Sequence, residues 1–140
     1  MVDSLINNSV LITGGLGYLG SRIGEYLSHL GYQVYLGSRK DIPYEIPSGC
    51  KNIITDWQDP DLEFCTDFDL IIHSAGMNAK DCADDPTSAL EFNGRCTERL
   101  IKKAIKSKSK KFYYLSTAHV YNSPLIGHFD ESSSVQNQHP

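Results

Sequence analysis

The stretch from Ser9 to Leu30, Ser-Val-Leu-Ile-Thr-Gly-Gly-Leu-Gly-Tyr-Leu-Gly-Ser-Arg-Ile-Gly-Glu-Tyr-Leu-Ser-His-Leu, constrains the fold more than any other part of the chain. Val10, Leu11 and Ile12 form a run of strand-formers long enough for a buried strand and too short for a helix. Thr13-Gly14-Gly15 breaks the run, and Leu19, Ile23, Leu27 and Leu30 then recur at helical spacing, predicting an amphipathic helix that turns those residues inward. Gly14, Gly17 and Gly20 therefore fall at a strand-to-helix turn. There a backbone without side chains lets the N–H groups of a helix N-terminus reach phosphate oxygens. The spacing is Gly-x-x-Gly-x-x-Gly, distinct from the Gly-x-Gly-x-x-Gly of the common dinucleotide fingerprint.

The rest of the chain repeats the alternation. Gly31 is placed to cap the first helix, and Gln33 to Gly37 reads as a second strand. Asp41 to Lys51, with two prolines and a glycine, reads as a loop rather than a crossover helix. Asn52 to Thr55 is a short third strand ending in Asp56-Trp57, and Pro60 to Asp67 could supply two helical turns. Asp69 to His73 is a fourth strand stopped by Ser74-Ala75-Gly76. From Pro86 to Ser107 a long helix is expected, with Ala89, Phe92, Cys96, Leu100, Ala104 and Ile105 on one face and Asp84-Asp85 as capping carboxylates. Lys111 to Ser116 is a fifth strand, and residues 122–140 form an irregular tail or loop. Strands alternating with helices imply one α/β domain over residues 1–140, a doubly wound parallel sheet of order 3-2-1-4-5. A ligand then lies beyond the carboxyl ends of strands one and four, where the order reverses. Thr13-Gly14, Ser38-Arg39, Asp56-Trp57, Ser74-Ala75-Gly76 and Ser116-Thr117 all converge on that rim.

Composition narrows the function. A net charge of −4 argues against binding nucleic acid through a basic face, and Lys102 to Lys111 read as the solvated cationic end of a helix. Cys50, Cys65, Cys82 and Cys96 are irregularly spaced, with no Cys-x-x-Cys and no zinc pattern, so no metal is expected and the thiols are free in a reducing compartment. The first residues lack a basic region and a long apolar stretch, so neither signal peptide nor membrane span is expected, and the protein reads as cytoplasmic.

The chain resembles the extended short-chain dehydrogenase/reductase family, the NAD-dependent nucleotide-sugar epimerases and dehydratases, whose cofactor domain is Rossmann-like. Thr13 to Gly20 matches the family's Thr-Gly-x-x-Gly-x-x-Gly motif, which includes Tyr18 and Leu19. Asp56-Trp57 is similar to the Asp-plus-apolar pair that brackets adenine. His73-Ser74-Ala75-Gly76 resembles the strand-four segment beside the cofactor's ribose and pyrophosphate. Pro86, Asn93 and Thr97 resemble the Pro…Asn-x-x-Gly-Thr pattern of the following helix, with Cys96 in place of the glycine; the family's asparagine helps hold the active-site backbone. Leu115 to Tyr121 resembles the Ser-Ser/Thr-x-x-Val-Tyr segment with the catalytic hydroxyl, placing that role on Thr117 beside Ser116. Asp130-Glu131 is similar to the acidic pair that follows. The match spans Val10 to His139.

The resemblance implies hydride transfer between a nucleotide sugar and a nicotinamide, with Thr117 hydrogen-bonded to the reacting sugar oxygen. Ser38-Arg39 stands where NAD-preferring members carry an acid, so NADP is expected as cofactor, with NAD second. The family's Tyr-x-x-x-Lys base is expected just past Pro140, so the chain reads as the cofactor-binding part of such an enzyme, lacking the C-terminal part of the family fold. A partner besides the sugar nucleotide is a second subunit, since intact members often form homodimers. Alternatives are a non-catalytic NADP(H)-binding regulatory module and a truncated inactive remnant. His119 reads as a surface histidine rather than a relay for Ser116. The runs Ile71-Ile72 and Phe112-Tyr113-Tyr114 expect neighbours on both faces, which favours the enzyme.

Overall fold

A computed structural model of the chain describes residues 8–41, 45–59, 61, 67–107, 109–122 and 124–137. Its centre is β1 (Ser9–Thr13), buried along its whole length because it is flanked on both sides. β2 (Gln33–Ser38) and β4 (Leu70–His73) pair with it in parallel, β3 (Cys50–Ile54) adds to β2, and β5 (Lys111–Tyr114) adds to β4. The order is β3-β2-β1-β4-β5, as the alternation predicts.

Period-two alternation divides β1 between two layers. Val10 and Ile12, with Val34, Leu36 and Ile72, face α1 (Tyr18–His29), while Leu11, with Phe68 and Ile71, faces Ala104 of α4 (Cys96–Lys106). Each fully buried leucine or isoleucine here contributes about 1.5–3 kcal/mol. A third cluster, Trp57, Cys96 and Leu100, lies under the carboxyl edge of the sheet.

α1 meets the sheet differently from the expectation. Gly20 and Gly24 are its buried residues, with Ile23 and Leu27 half-buried against the core, whereas Leu19 and Leu30 are 56% and 49% exposed. The two glycines sit one turn apart and let the helix backbone approach Leu36 and the glycine turn, which rotates the leucines at both ends outward. Gly31 ends the helix as expected, at a φ of 88°, where its N–H reaches Ser28 O and the Tyr32 N–H reaches Leu27 O.

Between β2 and β3 no helix occurs among the described residues. β3 begins two residues before the expected strand and ends one residue earlier. The helical turns expected over Pro60 to Asp67 lie mostly outside the described residues, as does Cys65. The long helix is not continuous. A short α2 (Ala79–Asp84) precedes it, and α3 (Pro86–Ala89) passes into a π-helical segment, Leu90–Arg95, before α4. Asp85 caps α3 by accepting from the Ser88 N–H at 3.0 Å, with Pro86 beginning the helix, as the paired aspartates suggest; Asp84 instead pairs with Lys80 at 2.7 Å. The wide turn rotates the register, so Ala89, Cys96, Leu100 and Ala104 are buried while Ile105 is 72% exposed rather than on the inner face. After β5, a 3-10 turn (Ala118–Val120) is the only further element among the described residues.

Candidate functional site

The carboxyl ends of β1 and β4 meet where the strand order reverses. Gly14 leaves β1 at a φ of 65°, and a Cβ there would stand 2.9 Å from the Ala75 backbone, so the glycine turn lies directly against the loop after β4. At Gly20 a Cβ would collide with the Gly14 carbonyl oxygen, which is why α1 can begin so close beneath the turn. Gly17 is the N-cap of α1, no side chain caps the helix, and its first turn holds no acidic residue. The first-turn amides and the positive end of the helix dipole are thereby left to an anion. Tyr18 and Leu19 are exposed beside this N-terminus, with the Arg22 guanidinium stacked over the Tyr18 ring at 3.9 Å.

The loop after β4 is tied down at both ends. Ser74 donates to the Thr13 carbonyl through its backbone N–H at 3.1 Å and its hydroxyl at 2.7 Å. Asn93, inside the π segment, accepts from the Met77 N–H at 2.8 Å and donates to Cys82 Sγ at 3.4 Å. Ala75 is half-buried and Gly76 exposed between these ties. Behind them His73 is fully buried and joins the Thr13 and Thr97 hydroxyls. Burial pushes its pKa down from 6.5 to about 4, so the ring is neutral at ordinary pH.

At the ends of β2 and β3, the Ser38 hydroxyl lies 2.6 Å from Lys40 O and 3.1 Å from Asn52 Oδ1. Arg39 is exposed, donates to Gln58 Oε1 at 2.9 Å and lies over the Phe92 ring at 5.5 Å. Asp56 is exposed and accepts from the Gln58 N–H, whereas Trp57 is only 4% exposed and turns inward, edge-on to His73 and Phe92. The pair expected to bracket a base is thus divided between a surface carboxylate and a buried indole, whose N–H has no hydrogen-bond partner among the described residues.

A cavity of about 600 Å³ opens between the β4 loop and the end of β5. Ser74, Ala75, Gly76, Asn93, Ser116 and Thr117 all line it, so the end of β5 joins the loop after β4. Thr117 caps the 3-10 turn by accepting from the His119 N–H at 3.2 Å, which leaves its own proton for an incoming oxygen. His119 is exposed, as expected. Beyond Tyr121 the described residues hold no helix or strand, yet the segment returns to this turn. Tyr121 stacks on Phe129 at 5.5 Å, and Asn137 bonds back to Val120 O through its N–H and to His119 O through its side chain. Val135 and Asn137 thereby form one wall of the cavity.

Met77, Gln58 and Val135 carry no signal in the sequence, because each acts through a loop contact with no local pattern, and Cys82 reads there only as a free thiol, not as the acceptor of the Asn93 amide. His73 stood inside a recognised segment, but only the tertiary structure assigns its partners. Among the described residues no group of histidine, cysteine or acidic side chains could hold a metal ion, and no helix is long and apolar enough to cross a membrane.

The sequence model of the NAD dependent epimerase/dehydratase family matches residues 10–140. A UDP-glucose 4-epimerase of Halalkalibacterium halodurans is 30% identical over 84% of the chain, and a dTDP-D-glucose 4,6-dehydratase of Dictyostelium discoideum is 28% identical over 97%. The chain spans 37% and 35% of those two proteins. The crystal structure of UDP-glucose 4-epimerase from Bifidobacterium longum in complex with NAD+ and UDP superposes with a TM-score of 0.77 at 24% identity, covering 91% of this chain and 42% of that one. That likeness confirms the fold.

Proposed function

The chain belongs to the NAD-dependent epimerase/dehydratase family, and from that premise we propose that it is the cofactor-binding part of an enzyme that transfers hydride to and from a nucleotide sugar. The observation behind this reading is that the Ser74–Met77 loop lies between the two: the uncapped glycine turn packs directly against its backbone, and across from it Thr117 lines the same cavity. The backbone of Gly14, Gly17, Tyr18, Leu19 and Gly20 takes the pyrophosphate at the α1 N-terminus. Asp56 accepts from the adenine amine, with Trp57 as the floor beneath. Ser74, Ala75 and Gly76 pass along the ribose, and Asn93 fixes that loop from behind. Ser116 and Thr117 face the sugar, where the Thr117 hydroxyl donates to the reacting oxygen and orients it. Among the described residues the Thr117 hydroxyl meets only the His119 backbone N–H and no side-chain base, so it acts by hydrogen bonding and not as a nucleophile. A bound nicotinamide supplies the hydride acceptor and donor. The base is a tyrosine activated by a lysine four residues later, a pair that does not occur within these 140 residues.

Ser38 and Arg39 set a preference for NADP(H) over NAD(H). Arg39 is steadied by Gln58 and Phe92 at the end of β2, where a guanidinium meets a 2′-phosphate through charge-assisted bonds. The free thiols of Cys50, Cys82 and Cys96 fit a reducing, cytoplasmic setting.

The test is turnover of UDP-glucose and dTDP-glucose by the purified full-length protein with each dinucleotide. Thr117→Val is expected to lower kcat by about a hundredfold while leaving dinucleotide affinity within about twofold. Binding of either dinucleotide with no turnover of any nucleotide sugar would favour the regulatory-module reading; no binding at all would remove both. Arg39→Ala is expected to weaken NADPH about tenfold and leave NADH unchanged, and equal affinity for the two in the parent protein sinks the NADP assignment.

A further inference from the structure

His73 ends β4 and is fully buried, yet the cofactor reading gives its imidazole no task. Both ring nitrogens are engaged, Nδ1 with the Thr13 hydroxyl on β1 and Nε2 with the Thr97 hydroxyl on α4 at 2.9 Å. Trp57, Phe112 and Tyr114 surround the ring at centroid separations of 6.2, 6.2 and 5.6 Å. A neutral imidazole offers one N–H and one lone pair, so one threonine must accept and the other donate, which fixes both hydroxyls. Thr13 immediately precedes the glycine turn. Thr97 stands about one helical turn after Asn93, whose side chain holds the Met77 amide. One ring therefore links the sheet beneath the glycine turn to the helix that fixes the opposing loop.

We propose that His73 is a positioning residue whose threonine-to-threonine bridge sets the height of Asn93 over the sheet, and through it the gap between the glycine turn and the Ser74–Met77 loop that grips the dinucleotide. This deepens the cofactor reading and rests on it. The backbone pairing of β1 with β4 fixes the two strands against each other, but it does not reach α4. Among the described contacts, Thr97 is where this ring holds the helix.

Thr97→Val removes one hydroxyl and keeps the side-chain volume, and Thr97→Ser keeps the hydroxyl. Dissociation constants for NADH and NADPH, read from nicotinamide fluorescence in the purified full-length protein, are expected to rise about five- to tenfold in the valine variant, the cost of one buried hydrogen bond. The serine variant is expected to return within about twofold of the parent. Without any dinucleotide, amide exchange at Met77 is expected to quicken in the valine variant only. Parent-like affinity and exchange in Thr97→Val, or a serine variant as weak as valine, would overturn the proposal while the cofactor reading stands. A parent protein that binds neither dinucleotide overturns both.

Discussion

Acidifying the protein from pH 7 to pH 4.5 titrates His73 against its own burial. The unfolded chain takes a proton on this residue near 6.5, while the native ring, fully buried and without a charged partner among the causes of its shift, takes one near about 4. Between those values the unfolded state binds more protons than the native one, so stability falls as pH falls. The full contribution is present above 6.5 and is gone below about 4. The gap between 6.5 and about 4 corresponds to about 3 kcal/mol, at about 1.4 kcal/mol per pH unit. That is a large share of the roughly 5–15 kcal/mol that keeps a domain folded. Asp69, Glu91 and Glu98 have carboxyls held below their ordinary values by Lys110, Arg99 and Lys102, so they lose their contribution mainly as pH falls below about 4.5, and they do so alike in parent and variant. Urea unfolding at closely spaced pH values, in the parent and in His73→Gln, isolates the effect. The parent is expected to lose stability steeply between pH 6.5 and 4.5, and the variant to lose about 1.4 kcal/mol per unit less. Parallel curves for the two proteins across that window would falsify the claim that the imidazole is buried neutral.

Three further perturbations test other parts of the structure. Gly20→Ala places a Cβ against the Gly14 carbonyl and is expected to cost about 1–3 kcal/mol and abolish dinucleotide binding, read by urea unfolding and fluorescence titration. Gly31→Ala meets no neighbour within 4 Å, so its expected loss of about 1 kcal/mol in urea unfolding comes from the positive φ alone; an unchanged midpoint would refute the left-handed cap. Asn93→Ala leaves the Met77 N–H without its acceptor and is expected to cost about 1–3 kcal/mol while accelerating exchange at that amide.

The sheet was legible because its strands announce themselves. Val10-Leu11-Ile12 and Leu70-Ile71-Ile72 are short apolar runs between glycines and polar residues, and their alternation with helical patterns leaves few topologies. The faces of the helices were less legible. In α1 the close approaches are made by Gly24 to the sheet and Gly20 to the glycine turn, which a hydrophobic pattern does not score, so that pattern alone points Leu19 and Leu30 inward. α2 carries one apolar anchor, Cys82, and has no stripe to detect. The π segment has no sequence sign; what accompanies it is a tertiary contact, the Asn93 bond to the Met77 amide, which local spacing does not reveal. Within the candidate site, glycines and strand-end hydroxyls were readable from spacing. Trp57 was not: its neighbour Asp56 faces solvent, while the indole closes a core cluster that only assembled strands and α4 create.

The returning segment after Tyr121 gives the cavity a wall of a different kind from the others. Its other walls belong to the loop after β4, to Cys82 of α2 and Asn93 of the π segment, and to the end of β5, and there the buried Cys82 and the Asn93–Met77 bond tie the lining to the packed interior. Val135 and Asn137 instead stand on a loop closed on itself by the Tyr121–Phe129 stack and by bonds from Gln136 and Asn137 to the 3-10 turn. Val135 is 70% exposed, so its side chain can be enlarged, shortened or made polar without repacking anything beneath it. The fold thus separates what must stay constant from what can drift: a rigid cradle, and beside it one panel that selection can redraw to admit a different guest.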